Sequence, residues 1–251
     1  MITVCLDWNC IIELEEDRPS APALCQIREW YKQGKIVLCI STSSRMENHK
    51  SPDKRVYDID EWNEKLHNIG LEGIELRESR PRAFLDGKGT YTFFLYEEQL
   101  LMREVHSRLF PGVDFMLRDY ARSQNIKLPD PPGIFSLRAY LEQENDEQKK
   151  LHRKWNNRKN DALSIYAFGT WSGPDDVFVT IDNHHLLKNR AKLQAPYMIS
   201  VPTFVRVPED DTGGNVEERM VTKTFHNVIQ GHIMSPQEAV EYLQQRLEVS
   251  P

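Results

Sequence analysis

The chain has 251 residues, 39% hydrophobic and 28% charged, with a formal net charge of −6. These values suit a globular protein with one large core or two small ones. The acidic balance argues mildly against a surface that grips nucleic acid all over, while allowing a local basic patch. No apolar run reaches the ~18 residues of a membrane span, and no basic segment followed by an apolar one opens the chain as a secretory leader would. The four cysteines, Cys5, Cys10, Cys25 and Cys39, form no CxxC pair. Buried free thiols in a reducing, cytoplasmic setting are expected, not disulfides or zinc ligands.

Residues 2–6 are a short apolar run of the kind that forms a strand buried on both faces, and the run stops at Asp7. A helical stretch follows to about Asp17, where Pro19 and Pro22 break it. Leu24, Ile27, Trp30 and Tyr31 then give residues 23–33 the spacing of an amphipathic helix, stopped by Gly34. A second buried strand is expected over 35–42. Ser43 and Ser44 offer N-cap oxygens for a helix that carries Glu47 near its start, and Pro52 ends or interrupts it. A helix over 60–69 and a third strand over 73–76 complete an order that favours a parallel sheet with helices on its faces.

Residues 80–148 read as an insertion or cap. Its aromatic stretch at 90–96 (TYTFFLY) has strand-like content, 97–110 is helical, Pro129, Pro131 and Pro132 mark a loop, and 136–143 starts another helix. From Leu141 a long helical pattern extends to Gly169. Asp175 and Asp176 form a turn before a buried strand over 177–181 that ends at Asp182, and 183–193 is helical. A loop rich in Pro, Asp and Gly covers 208–214, and the last helix starts at Ser235-Pro236, with Ser at the N-cap and Pro at N1.

Asp7, Glu47, Asp161 and Asp182 lie at strand ends or on helices leaving them. In a parallel sheet the carboxyl ends of the strands share one edge, so acids scattered in sequence converge there. Clustered carboxylates repel one another unless cations are present, and Mg²⁺ or Mn²⁺ prefers such oxygen ligands. Taken singly, an Asp after a strand is more often a helix N-cap than a ligand. Several other features have ordinary readings: Gly87-Lys88-Gly89-Thr90 lacks full P-loop spacing, His184 and His185 diverge as surface residues, and His226 and His232 match no zinc spacing.

Together the acid-bearing blocks resemble the PIN domain, a family of metal-dependent ribonucleases. VCLDWNCIIELEE is similar to its opening strand and turn, with Asp7 and its companion Asn9. ISTSSRMEN is similar to the second block, with Glu47. NDALSIYAFG is similar to the third, with Asp161, and DDVFVTIDNHHLL to the fourth, with Thr180 and Asp182. The blocks cover about a third of the chain.

The resemblance implies an α/β fold, a three-layer α/β/α sandwich with a central, mainly parallel sheet and a helical insertion. It implies one domain over 1–251, with the insertion at about 80–148 and a C-terminal extension at about 195–251. It implies an endoribonuclease in which Asp7, Glu47, Asp161 and Asp182 hold Mg²⁺ or Mn²⁺ and act catalytically, supported by Asn9 and Thr180. The long insertion and extension set the chain apart from the compact toxin ribonucleases of the family, and no antitoxin partner is indicated; a homo-oligomer stays open.

Lys149, Lys150, Arg153, Lys154, Arg158 and Lys159 form a run without an acid. On a continuous helix, Lys154, Arg158 and Asp161 share a face, which makes Arg153, Lys154 and Arg158 the candidate RNA contacts. A solvated helix face is the competing reading, and Trp155 is expected to pack the helix more than to stack on a base. The alternative function is a non-catalytic PIN-like RNA-binding or scaffold protein. A phosphatase of the α/β kind would need a second Asp where Asn9 stands, and a receiver domain a strand-end Lys that is not evident.

Overall fold

The computed structural model describes residues 1–43, 59–77, 92–130, 143–206 and 216–249. Five short strands form one sheet: β1 (Thr3–Leu6), β2 (Val37–Ser41), β3 (Glu75–Arg77), β4 (Val177–Val179) and β7 (His232–Met234). Their spatial order is β3-β2-β1-β4-β7, and every pairing is parallel. The other two strands, β5 (Tyr197–Arg206) and β6 (Val216–Phe225), make a separate antiparallel ribbon. Eight helices stand among the described residues: α1 (Trp8–Glu15), α2 (Ala21–Lys32), α3 (Ile59–Asn68), α4 (Thr92–Leu109), α5 (Leu117–Ser123), α6 (Asp146–Trp171), α7 (Leu186–Gln194) and α8 (Pro236–Val249).

The twofold alternation of strand side chains divides the core in two. Val4, Leu6, Leu38, Ile40, Val177 and Val179 point to one face and pack with Trp8 and Ile11 of α1, Leu24 and Ile27 of α2, Trp62 of α3 and Leu243 of α8. Cys5, Cys39, Phe178 and Ile233 point to the other and pack with Leu101 and Val105 of α4, Ile165 and Phe168 of α6, and Leu186 of α7. Helices therefore cover both faces of a parallel sheet, an arrangement compatible with a three-layer sandwich. Gly231 sits where β7 closes on the sheet: a Cβ there would fall 2.4 Å from Phe168 Cζ and 2.7 Å from the Asp176 carbonyl. No helix among the described residues is long and apolar enough to cross a membrane. All four cysteines are free, and Cys5, Cys10 and Cys39 are buried.

Several expected elements shift. The aromatic stretch before Glu97 is not a strand; from Thr92 it forms the first turns of α4. Leu101, Val105 and Leu109 bury one stripe of that helix, and extending an existing helix backward requires no new nucleus, which outweighs the strand preference of the aromatics. Pro22 does not break a helix but occupies the first turn of α2, where its missing N–H costs nothing. The long helix starts at Asp146 and not at Leu141, because Asn145 and Gln148 close a capping box there, and it continues past Gly169 to Trp171. β4 ends at Val179, so Thr180 and Asp182 lie beyond it, and α7 starts only at Leu186. The helix expected to carry Glu47, the one expected at 136–143 and the loop at 208–214 lie outside the described residues.

Candidate active site

The strand order reverses between β1 and β4: the chain proceeds outward from β1 through β2 to β3, then crosses back to β4 and outward to β7. Such a reversal opens a crevice at the carboxyl ends of the two central strands. Asp7 follows β1 directly, and its amide donates to the Val179 carbonyl at the end of β4 at 2.9 Å. Thr180 and Asp182 continue from β4 on the same edge.

Asp7 stands at the N-cap position of α1, yet its side chain makes no capping hydrogen bond. Its Oδ2 instead accepts from Thr180 Oγ1 at 2.7 Å and, more loosely, from Asn9 Nδ2 at 3.4 Å. Only 4% of Asp7 is exposed, which decides its electrostatics. Burial raises its pKa to about 6, the charge of Asp182 adds to the rise, and the bonds from Thr180, the Trp8 backbone and Asn9 oppose it. Asp161, on α6, is also pushed well up, first by burial and then by the charges of Asp7 and Asp182, with Arg158 opposing. Three of the four expected acids thus feel one another at this edge. The fourth, Glu47, lies outside the described residues.

Asp182 has a second occupation. Its Oδ1 accepts from the backbone amides of His184 at 2.8 Å and His185 at 2.9 Å, which caps the turn into α7 and delays that helix. Thr180 joins the two strand-end acids: the same Oγ1 that donates to Asp7 accepts from the Asp182 amide at 3.0 Å.

Buried hydroxyls gather at the end of β2, where Ser43 is expected only as a helix cap and no role is expected for Ser41 or Ser164. Ser41 and Ser43 lie 2.8 Å apart, and Ser43 bonds Ser164 on α6, one turn beyond Asp161. Ser43 therefore ties the end of β2 to α6. Its signal in sequence was the hydroxyl run after a buried strand.

On α6, Arg153 and Lys154 are exposed, as RNA contacts would be, whereas Arg158 and Lys159 are partly buried. Arg158 donates to Tyr120 Oη at 3.1 Å and lies over the rings of Phe110 and Tyr120. Lys159 lies 4.9 Å from the Trp155 ring centroid and 5.5 Å from that of Phe115. Trp155 packs the helix as expected, with Nε1 donating to the Phe115 carbonyl at 3.1 Å. His184 is exposed, and His185 rests against Phe110 with 4.8 Å between ring centroids.

Among the described residues, no three His, Cys, Asp or Glu side chains form a group that encloses a metal ion. The donor set at this edge is nonetheless one of hard oxygens, and Mg²⁺ commonly binds through one or two carboxylates and keeps several waters. Asp7, Asp161 and Asp182 fit that mode by their oxygens, and for Asp7 and Asp161 burial and neighbouring charge disfavour the ionised form unless a cation is present. Compared with family models, curated proteins and solved structures, the chain matches none.

Proposed function

We propose that the protein is a Mg²⁺- or Mn²⁺-dependent endoribonuclease of PIN-like kind, with Asp7, Asp161 and Asp182 as acids of its active site and Glu47 as the fourth. The observation that carries this reading is at the switch point of a parallel sheet, where burial and the charges of neighbouring acids, Asp182 among them, raise both Asp7 and Asp161. A carboxylate used only as a helix cap has no reason to be buried beside two others.

The chain's own groups divide the work. Thr180 fixes Oδ2 of Asp7, and the two backbone amides after Asp182 fix its Oδ1, so each strand-end acid has one oriented oxygen. Arg158 favours the ionised form of Asp161. A divalent ion bound here would neutralise the cluster, activate a water for in-line attack on a phosphodiester and stabilise the leaving oxygen. Arg153 and Lys154, exposed on α6, would meet the phosphate backbone of RNA.

Incubation with single-stranded and structured RNAs is the test. Cleavage should appear with Mn²⁺ and vanish with EDTA or in Asp7→Asn. Metal-independent cleavage, or full activity in Asp7→Asn, would sink the reading. The second reading is a PIN-like RNA-binding scaffold without cleavage. Titration calorimetry with Mn²⁺ separates the two, because a scaffold would show no carboxylate-dependent heat.

A further inference from the structure

A groove of about 420 Å³ lies between α4 and β5. That volume falls within the range of small-ligand pockets, ~300–1,000 Å³. Its wall includes Phe115, His106, Asp114, Arg103, Met198 and Ser200. Met198 is an exposed apolar side chain, 67% accessible, on β5, while Phe115 is a partly buried ring from the segment after α4.

Three features point to what the groove takes. The first is its aromatic wall. Arg103 lies over the Phe115 ring at 5.6 Å and Lys159 at 5.5 Å, and His106 meets it edge-on at 5.5 Å. A ring with cations around it is the kind of surface on which a nucleobase stacks, its phosphates near the cations. The second is the hydrogen-bonding rim. Asp114 is an exposed carboxylate, a pure acceptor, and Ser200 adds a hydroxyl. The other acid of the wall, Glu104, already accepts from Arg108 Nε at 3.1 Å. An unneutralised acceptor repels a phosphate but suits an exocyclic amine.

The third is continuity with the site. His106 lies 5.4 Å from Phe110, Phe110 lies 4.8 Å from His185, and the His185 amide donates to Asp182. Lys159, beside the groove, is followed on α6 by Asp161. His106 is buried, with Nε2 lacking a hydrogen-bond partner, and burial together with Arg158 and Lys159 lowers its pKa to about 4. A neutral imidazole at the base of the groove adds no charge of its own.

We propose that this groove is a base-recognition site for single-stranded RNA. It seats a base with an exocyclic amine (adenine, cytosine or guanine) from a nucleotide flanking the bond cut at the carboxylates. Phe115 and Met198 supply the stacking walls, Asp114 accepts the amine, and Lys159 and Arg103 hold the adjoining phosphate. The identity of the strand rests on the ribonuclease reading; the recognition of the base does not.

Fluorescence anisotropy tests it, with short labelled oligomers of A, of C and of U, and an A·U duplex, all in EDTA so that no strand is cut. Oligo-A and oligo-C should bind about fivefold or more tighter than oligo-U, and the duplex should bind more weakly than any single strand, since a paired base cannot stack on protein. Phe115→Leu, which keeps the volume but not the aromatic face, should lose about fivefold or more for oligo-A. Asp114→Asn, at an exposed position that leaves folding intact, should narrow the gap between oligo-A and oligo-U. Equal binding of oligo-A and oligo-U by the unaltered protein would overturn the proposal, as would Asp114→Asn with an unchanged preference. AMP displacing oligo-A as effectively as unlabelled oligo-A does would assign the groove to free nucleotides and overturn the strand assignment. Base preference without Mn²⁺-dependent cleavage would leave the groove and remove the nuclease. Cleavage without base preference would do the reverse.

Discussion

The two edges of the central sheet use aspartate in opposite ways. At the amino edge, Asp176 precedes β4 and has both oxygens satisfied by backbone: Oδ1 accepts from the Thr3 amide and Oδ2 from the Gly173 amide, each at 2.7 Å. It pins the starts of β1 and β4 together. At the carboxyl edge of the same two strands, Asp7 is buried with one strong donor, Thr180, and two acids for company. One acid is ordered by its partners. The other is held against the preference of its surroundings. A carboxylate in the second situation marks a candidate functional site.

Substitutions at each edge should break this contrast in opposite directions. Asp7→Asn carries the largest expected effect, a loss of Mn²⁺-dependent cleavage on the order of 10²–10³-fold in kcat, the scale for removing one preorganised charged or polar group from an active site. The same change should stabilise the metal-free protein. The folded pKa of about 6 stands above the ~3.9 of an unfolded Asp, so between those values the folded state holds more protons and stability falls as pH rises. Asp7→Asn removes that fall. In EDTA its melting temperature should match the unaltered protein near pH 4 and exceed it at pH 7, by a stability on the order of 2 kcal/mol. A melting temperature at pH 7 no higher than that of the unaltered protein would contradict the strained-carboxylate picture.

Thr180→Val tests the link between the two strand-end acids. It keeps the shape and removes the hydroxyl, and activity should drop by about 10–100-fold, the usual scale for a group that orients a ligand. Asp176→Ala is the opposite-edge control. Two backbone amides lose their acceptor, so stability should fall by about 1–3 kcal/mol in denaturant melts, while the activity of the folded fraction stays the same. The smallest expected effect comes from Arg153→Gln and Lys154→Gln. Each should lower the salt dependence of RNA binding by about one unit of slope, with little change in cleavage at saturating RNA. A salt slope unchanged in both variants would remove α6 from the RNA path.

Sequence alone made the central strands legible because each is a short apolar run bounded by polar residues, and the acids at their ends followed from topology. Thr180 entered only with the family resemblance, through the Thr-x-Asp that closes its fourth block. The β5–β6 ribbon was not legible: Pro202 lies inside it and reads as a strand breaker, and exposed Met198 and Val221 blur the alternation that Tyr197, Ile199 and Val201 would otherwise show. β7, three residues long, is too short for any periodicity. At the site, the contact between Ser43 and Ser164 joins positions 121 residues apart, and no local pattern encodes such a pair. Arg158 could be placed beside Asp161 from helical spacing. That it would rest on Phe110 and Tyr120 could not, because those rings arrive from an insertion whose packing only the folded chain decides.

Helix α6 has 26 residues, so it is a rod of about 39 Å. Its capping box fixes one end, and the sheet clamps the other through Ile165 and Phe168. Asp161, Arg158 and Lys159 all ride on it. On the proposed reading, a base seated beside Lys159 and a bond presented to Asp161 would be held a fixed distance apart, because both side chains ride two residues apart on one clamped helix. Cleavage products should carry that length as a constant offset between the preferred base and the cut.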